Sequence, residues 1–313
     1  MSLELGFFLP HVPPEILNKM AIMADSAGFD FMCSDDHLLS PFSPMTSDFE
    51  GCYESWTSMA YLAGKTENIK VSHMVLIPSF RNPAVLAKMA ATLHMLSNGR
   101  LDLTVGAGWY EKEFDAFNLS WENHNERIKR EEEAIQIIRK MWTGEKMSFN
   151  GDYYTLNNAS LDIKPMLKPL PWIWVGGDSK MSMELAAKQG DGWLMHGHSP
   201  EEVETMVSKI TSILGDKKEN FGIGTAHFVL FGEDKDKAYE KMRKIIPEKT
   251  WDDFMKAGIR MEIKHRISGK PEECIERIKQ YKDAGVNRLI TIFLDPADVG
   301  VFVEDVMPGV REF

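Results

Sequence analysis

The 313-residue sequence is poor in cysteine, and its few cysteines exclude two kinds of site. The three residues, Cys33, Cys52 and Cys274, form no Cys-x-x-Cys pair, and their number is odd. A disulfide framework or a thiolate zinc site is therefore not expected. This usage fits a reducing compartment, so we expect a cytoplasmic protein.

Excess positive charge and long apolar runs are also missing. The formal net charge is −11, so neither a nucleic acid nor an anionic membrane surface is an expected partner. No apolar run approaches the ~20 residues that a membrane-spanning helix needs. The segment Met1–Leu5 has no basic stretch, so we expect no signal peptide. A small-molecule ligand is compatible with all of this, because backbone N–H groups can bind a phosphate even in an acidic protein.

The sequence does contain a regular alternation of short apolar runs with amphipathic stretches. Eight runs predict β-strands: Leu3–Leu9, Phe29–Cys33, Val71–Ile77, Leu101–Ala107, Trp172–Val175, Trp193–His196, Ile223–Phe231 and Leu289–Leu294. Eight stretches predict helices: Glu15–Ala27, Val85–Leu96, Glu122–Trp142, Met181–Lys188, Pro200–Leu214, Lys235–Ile246, Pro271–Ala284 and one near Asp298–Val306. A closed barrel and an open doubly wound sheet both fit this rhythm. The strand count and the chain length favour a single (β/α)8 TIM barrel over residues 1–313.

Two segments exceed a minimal barrel. His37–Tyr53 is a long polar stretch after the second strand, and Thr143–Pro171 contains apolar and aromatic residues that could form a small hairpin. We interpret both as insertions over the C-terminal face, where barrel enzymes carry their active sites.

Residues that directly follow the strands are therefore the candidates for chemistry. Asp36 and His37 join a carboxylate to an imidazole after the second strand, a pairing that can orient the ring for proton transfer. The alternative is that Asp36 caps a turn while His37 packs. Their place at the barrel opening favours the catalytic reading.

Other histidines follow other strands. His11 comes after the first strand and His196 ends the sixth, and we expect both to face a substrate pocket. His198 is two residues further on, but no carboxylate is near in sequence to complete a metal site, so no metal is expected. The stretch Arg127–Glu133 is interpreted as a solvated helix face.

Two glycine-rich segments offer room for a cofactor. Gly176, Gly177, Asp178 and Ser179 lead from the fifth strand into a helix, where main-chain N–H groups and the helix dipole can bind an anion. The alternative is an ordinary turn with Ser179 as helix cap. The run 106–108, Gly-Ala-Gly, lacks the third glycine of a dinucleotide fingerprint, which excludes a Rossmann reading. Small residues there would let a flat ring lie against the strand end, although a tight turn is again the alternative.

Several linked motifs resemble the bacterial-luciferase-like family of flavin oxidoreductases. They are the runs 80–88 (FRNPAVLAK), 96–101 (LSNGRL), 105–110 (VGAGWY) with 113–114 (EF), 172–177 (WIWVGG) and 190–193 (GDGW). Their order and spacing match the family from Leu3 to about Trp193, and more weakly to Leu294. The resemblance implies a (β/α)8 barrel enzyme that binds FMN or the deazaflavin coenzyme F420 at its C-terminal face, and it suggests a homodimer.

The resemblance also implies roles for individual residues. Gly176, Gly177 and Ser179, with Asp178 in the same loop, would hold the cofactor phosphate. Gly106 and Ala107 would flank the ring. Many family members carry a non-proline cis peptide after the third strand that supports the ring, and the matching bond here is Met74–Val75.

The identity of the cofactor depends on Asp36 and His37. Deazaflavin-using members tend to carry Asp-His here, whereas many FMN-using monooxygenases carry Glu-His-His, so we favour F420 with FMN as the alternative. His37 would then sit near the reactive carbon, with Asp36 at the polar edge of the ring. Trp109 stands where the sugar-phosphate dehydrogenases have a glutamate, which argues against a sugar phosphate and for an apolar or flat substrate.

Three functions follow from these readings. The first is hydride transfer between F420 and a small organic substrate. The second is an FMN-dependent monooxygenase that receives reduced flavin from a partner flavin reductase and reacts with O2. The third is a flavin-binding protein without turnover, against which the intact Asp36–His37 pair argues.

Overall fold

Eight parallel strands form a nearly closed barrel with helices around it, as predicted. A computed structural model of the chain describes residues 2–41, 51–163, 169–246, 248, 251 and 263–313. The central part of the first predicted insertion and residues 164–168 of the second lie outside these ranges. None of the helices within them combines the length and apolar character needed to cross a bilayer.

The elements follow in chain order. The strands are β1 (Glu4–Phe8), β2 (Phe31–Ser34), β3 (Lys70–His73), β4 (Leu103–Val105), β5 (Met147–Asn150), β6 (Thr155–Ala159), β7 (Ile173–Gly176), β8 (Gly192–Met195), β9 (Gly222–Phe231), β10 (Ile267–Gly269) and β11 (Arg288–Phe293). The helices are α1 (Pro14–Ser26), α2 (Ser55–Ala63), α3 (Pro83–Leu96), α4 (Glu111–Ala116), α5 (His124–Thr143), α6 (Lys180–Gln189), α7 (Pro200–Leu214), α8 (Lys235–Ile245), α9 (Pro271–Asp283), α10 (Pro296–Val301) and α11 (Met307–Arg311).

The strand order closes the barrel. Neighbouring strands run β3-β2-β1-β11-β9-β8-β7-β4, and all of these pairs are parallel. Parallel bridges from Val71 to Leu101 and from Leu76 to Val105 join the two ends. The predicted third strand is thus interrupted, because β3 ends at His73 before the second bridge. The peptide bond Met74–Val75 between them is cis, as the resemblance implied.

Apolar side chains pack in two layers. Along each strand, successive side chains point to opposite sides of the sheet. Alternate residues of β2, β9 and β11 fall into one buried cluster that fills the barrel, including Phe31, Cys33, Ala226, Phe228, Leu230, Ile290 and Ile292. A larger cluster, including Leu5, Val71 and Leu289, packs the outer faces of the strands against the helices.

The structure contains three described elements that the sequence did not predict, and it also decides two further expectations. Helices α2 and α4 and the short strand β10, which pairs with β9, were not predicted. The hairpin expected in the second insertion is confirmed as the antiparallel pair β5–β6. The interpretation of 127–133 as a solvated helix face is wrong, since Ile128 and Glu131 of α5 are buried.

Candidate active site

The C-terminal strand ends converge on one cavity of about 220 Å³, which we call the strand-end cavity. Its lining includes the predicted residues Asp36, His37, Met74, Val75, Gly106, Ala107, Trp109, Gly176, Gly177, Asp178, Ser179 and His196. The imidazole after β2 and the glycine loop after β7 therefore share one cavity. A larger cavity of about 620 Å³ lies beside α2 and α3, and Lys88 is the only charged residue among its described lining residues, so it is a poorer candidate for catalysis.

His37 is held by a carboxylate that the sequence reasoning did not identify. Its Nδ1 atom lies 3.1 Å from Oε1 of Glu113 at the start of α4. The main-chain N–H of Leu38 donates to Oε2 of Glu113 at 2.9 Å. An acceptor at Nδ1 assigns the proton of the neutral ring to that nitrogen, which leaves Nε2 free to exchange a proton. The only signal in the sequence was Glu113 within the family motif.

The surroundings of His37 favour its charged form. Burial alone would lower the pKa of His37, but the hydrogen bond to Glu113 and the negative charges of Asp35, Glu113 and Asp36 outweigh it, so the pKa is raised. Both side chains are nearly inaccessible, at 9% exposure for His37 and 0% for Glu113. Water therefore screens this pair little.

The expectation that Asp36 orients His37 directly is wrong. The carboxylate of Asp36 accepts hydrogen bonds from Nη1 and Nη2 of Arg81 at 2.6 and 2.8 Å, and from the Ile77 N–H at 2.9 Å. These bonds to Asp36 raise the pKa of Arg81, and burial opposes them. Ile77 follows the cis peptide bond, and Arg81 also bonds Glu54, the N-cap of α2. Asp36 therefore links the end of β2 to the segment after β3.

His11 does not line the strand-end cavity, but it bonds Asp35, which does. Its Nδ1 accepts the N–H of Tyr53 at 3.3 Å, so Nε2 donates to Oδ1 of Asp35 at 2.7 Å. Burial would raise the pKa of Asp35, but the hydrogen bond from His11 and the neighbouring imidazoles lower it. Asp35 is therefore an additional anionic group at this wall of the cavity.

Gly106 and Gly176 make room for Val75. A Cβ at Gly106 would lie 2.4 Å from Cγ2 of Val75, and a Cβ at Gly176 would lie 2.6 Å from its Cγ1. The two glycines thus accommodate the Val75 side chain from both sides. Gly106, Ala107 and Val75 all line the strand-end cavity, and the Val75 side chain occupies the space where a Gly106 side chain would lie.

The glycine loop after β7 reaches the N-terminus of α6. Gly177 has φ +125°, and a Cβ there would lie 2.9 Å from the Ser182 hydroxyl, so a side chain is disfavoured twice. Ser179 caps α6 by accepting the Ser182 N–H at 3.0 Å. The hydroxyl groups of Ser179 and Ser182 are 2.9 Å apart, and both residues line the cavity. Hydroxyl donors beside a helix N-terminus form a suitable anion site.

Asp178 binds histidines, which sequence proximity did not indicate. Its Oδ2 lies 3.2 Å from Nδ1 of His196 and 3.4 Å from Nε2 of His198. Burial would raise the pKa of Asp178, but these contacts hold it well below its usual range. The carboxylate therefore links the loop after β7 to the end of β8. Even with this carboxylate, the described part of the chain contains no group of three residues placed to hold a metal ion.

A cation at the cavity was missed by the sequence reasoning. Arg127 of α5 lines the cavity together with Gly177 and Ser179. Its guanidinium stacks on Trp121, 3.7 Å from the ring centroid, and its buried Nε has no hydrogen-bond partner within the described ranges. Arg127 therefore brings a positive charge to the cavity wall that the glycine loop also lines, which suits an anionic ligand.

Trp109 lies at the opening of the strand-end cavity. Its ring contacts His37 edge to face, with centroids 5.5 Å apart, and 46% of the residue is exposed. It can therefore contact both the imidazole and an incoming molecule.

Comparison with known proteins agrees with this architecture. The family model of the luciferase-like monooxygenases matches residues 10–288. An FMNH2-dependent dimethylsulfone monooxygenase of Pseudomonas putida is 28% identical over 94% of this chain and 87% of its own length. An F420-dependent glucose-6-phosphate dehydrogenase of Amycolatopsis mediterranei is also 28% identical, over 95% of each chain.

A solved structure is similar throughout. An F420-dependent secondary alcohol dehydrogenase in complex with an F420-acetone adduct superposes with a TM-score of 0.84 and 25% identity, covering 99% of this chain and 100% of the other. The named relatives are oxidoreductases and monooxygenases, so this protein is an enzyme. The predicted resemblance is confirmed, and the chain belongs to the luciferase-like monooxygenase family.

Proposed function

We propose that this enzyme transfers a hydride between coenzyme F420 and a small organic substrate. The observation that carries the proposal is the arrangement of His37. Its Nδ1 is bound by Glu113, and its ring lines the same cavity as the glycine loop at the N-terminus of α6. A proton-exchanging group and an anion site thus lie within reach of one elongated ligand.

The residues present fit a phosphate-bearing cofactor. The charge of Arg127, the main chain around Gly177 and the hydroxyl groups of Ser179 and Ser182 would hold the phosphate. Val75 and Ala107 would support the ring. F420, when bound, supplies a carbon that accepts or donates a hydride. Met74 completes the same wall of the cavity.

The protein's own task is to handle the proton that accompanies the hydride. In the direction of alcohol oxidation, Nε2 of His37 accepts the hydroxyl proton of the substrate. The carboxylate of Glu113 stabilises the imidazolium that forms, and its bond to Nδ1 keeps the ring oriented. Asp36 acts as a positioning residue through Arg81 and Ile77. In the reverse direction the imidazolium returns the proton.

The residues around His37 favour an uncharged, apolar or flat substrate. Trp109 contacts the His37 ring, Glu113 bonds it, and the charge of Asp35 also acts on it. Negative charge here repels an anionic substrate, and the exposed indole offers a flat apolar contact. His196 lines the same cavity and completes the proposed pocket.

FMN-dependent oxygenation is the second candidate, because an FMNH2-dependent relative is as similar to this chain as an F420-dependent one. This reading would require a flavin reductase as a partner. We also propose a cytoplasmic homodimer. The cytoplasm is proposed because Cys33, Cys52 and Cys274 are free thiols.

Titrating the protein with F420 and with FMN separates the two candidates. We expect tighter binding of F420, measured by ring fluorescence, and substrate-dependent reduction of F420 without oxygen uptake. His37→Ala should leave F420 affinity nearly unchanged and lower turnover about 10²–10⁴-fold. Tighter binding of FMN together with oxygen uptake would overturn the F420 assignment, and an unaltered rate in His37→Ala would remove His37 from the mechanism.

A further inference from the structure

The loop after β7, which lines the proposed phosphate site, is held to β8 by two kinds of contact. In the first kind, the Gly177 N–H donates to the Leu194 carbonyl at 3.0 Å, and the Trp193 indole N–H donates to the Gly177 carbonyl at 2.7 Å. Neither bond contains a titratable group. The second kind is made by the carboxylate of Asp178, which stands between Gly177 and Ser179 in the loop. Its partners are imidazoles, so this kind of contact can respond to pH.

Two histidines meet the Asp178 carboxylate. Oδ1 accepts the main-chain N–H of His196 at 3.1 Å, while Oδ2 lies 3.2 Å from Nδ1 of His196 and 3.4 Å from Nε2 of His198. The side chain of His196 is 53% exposed, whereas that of His198 is 17% exposed. Water therefore screens the contact with His198 less, and the charge of His198 has the larger effect on Asp178.

The contact between His198 and Asp178 depends on charge. Nε2 of His198 is buried and makes no well-aligned hydrogen bond to any residue that the structure describes. A neutral ring therefore contributes little at this distance, whereas an imidazolium attracts the carboxylate. The contact with Asp178 raises the pKa of His198, the charge of Glu202 adds to this effect, and burial opposes it. The ring thus stays protonated to a higher pH than an ordinary histidine and loses its charge as the pH rises further.

The neighbouring elements also place titratable groups around His198. Glu202, at the start of α7, has its Oε2 atom 3.8 Å from Nδ1 of His198 and 3.5 Å from Nε2 of His265, which precedes β10. Burial lowers the pKa of His265 and lowers that of His227 on β9 to about 3, so both rings are neutral near pH 7. Neither can replace the charge of His198.

The permanent cations of this region do not contact Asp178 either. Arg277 of α9 stacks on the ring of Tyr281, whose hydroxyl donates to the His198 carbonyl at 2.8 Å. Lys264 acts on His265 and Glu202. His198 is therefore the least exposed cation that can balance the Asp178 carboxylate.

We propose that His198 is a positioning residue that makes the affinity for the cofactor depend on pH. The inference rests on the proposed phosphate site at the glycine loop. When His198 is protonated, the carboxylate of Asp178 is paired and repels a phosphate little. When His198 is neutral, Asp178 is an unbalanced anion between Gly177 and Ser179, and the phosphate binds more weakly. Cofactor binding and protonation of His198 therefore favour each other.

Fluorescence titrations with F420 and with FMN, at about pH 6 and about pH 8.5 and at constant ionic strength, test the inference. The measured quantity is the ratio of the Kd at the higher pH to the Kd at the lower pH. His198→Gln keeps an N–H donor but cannot titrate, so its ratio reports only the titration of the ligand and of other groups. We expect the wild-type ratio to be about three- to tenfold larger than that of His198→Gln.

Asp178→Asn provides a second reference if His198→Gln does not fold. The repelling charge is gone in this variant, so its ratio should also be about three- to tenfold smaller than that of the wild type. His265→Gln is the matched control, since this histidine contacts Glu202 and should keep the wild-type ratio. Histidine ring NMR, with the His198 signal assigned by its loss in His198→Gln, should show a higher pKa for His198 when cofactor is bound.

The outcomes separate this inference from the proposed function. Equal ratios in the wild type, His198→Gln and Asp178→Asn would overturn the inference alone. So would a ratio that falls in His196→Gln or His265→Gln but not in His198→Gln. Binding of neither cofactor at either pH would overturn the proposed function and this inference with it.

Discussion

The Nδ1 atom of His37 and the carboxylate of Glu113 lie 3.1 Å apart, although 76 residues separate them along the chain. The contact joins the segment after β2 to the start of α4 and assigns the proton of the neutral imidazole to Nδ1. Glu113 is buried completely and also accepts the N–H of Leu38. This pair is the part of the site whose removal has the clearest chemical consequence.

Replacing Glu113 by glutamine should shift the pH dependence of the reaction. Glu113 raises the pKa of His37, and alcohol oxidation needs the neutral ring, so the rate increases as the pH passes this pKa. In Glu113→Gln the amide still accepts the Nδ1–H but carries no charge, so the inflection of kcat/KM should move to lower pH. We expect kcat to fall about tenfold. Glu111→Gln, an exposed position on the same helix, is the control, and an unmoved inflection in Glu113→Gln would contradict the assignment.

Arg127→Met should weaken cofactor binding without altering the chemical step. A charge-assisted hydrogen bond to the phosphate is lost, so the Kd for F420 should rise about 10- to 100-fold while kcat at saturation is retained. Fluorescence titration gives the first quantity and steady-state kinetics the second. Lys129→Met removes a cation two residues away that pairs with Glu126 instead. Equal F420 affinity in both variants would exclude Arg127 from the phosphate site.

Glu131 should make the protein less stable as the pH rises. Burial raises the pKa of Glu131 from 4.5 to about 8, and neither carboxylate oxygen has a partner among the described residues. The folded protein keeps this group protonated while the unfolded chain releases the proton. Stability is therefore complete below about pH 4.5 and is lost as the pH rises to about 8, by about 4 kcal/mol at pH 8.

Thermal melting of Glu131→Gln tests this dependence. The neutral amide should give a Tm close to that of the wild type near pH 5 and one several degrees higher at pH 8. Glu276→Gln, at an exposed position on α9, should show no such difference. If Glu131→Gln melts below the wild type at both pH values, Glu131 is ionised and bound in the folded protein.

Leu96→Glu should dissociate the proposed homodimer. Leu96 is 81% exposed and Val85 is 55% exposed, and both line the 620 Å³ cavity beside α2 and α3. An exposed apolar surface of this kind is suited to an interface, and introduced glutamates would be buried there without partners. Sedimentation should give two chains for the wild type and one for the variant. Ile213→Glu, on the exposed side of α7, is the control, and a dimer that survives Leu96→Glu places the interface elsewhere.

Local patterns in the sequence predicted much of the fold. Helix α7 begins at Pro200 and ends at Leu214 as expected, because a proline at the first turn and two glutamates after it favour a helix start. The predicted third strand extended too far, since apolar character continues from Val71 to Ile77 while the cis peptide interrupts the pairing. Helix α2 was missed because it follows a polar stretch without a clear apolar period.

The sequence alone determined the order of strands and helices and the barrel class. It also placed His37 and the Gly176–Gly177 loop at strand ends. Both follow because periodicity and turn residues act over a few neighbours along the chain. Only the tertiary structure decided which groups meet. Glu113 binds His37, and Arg81 donates to Asp36. Val75 fills the space over Gly106, and Arg127 lines the strand-end cavity. The physical reason is that these contacts form across the closed barrel, where distance depends on strand order and register and not on separation in sequence.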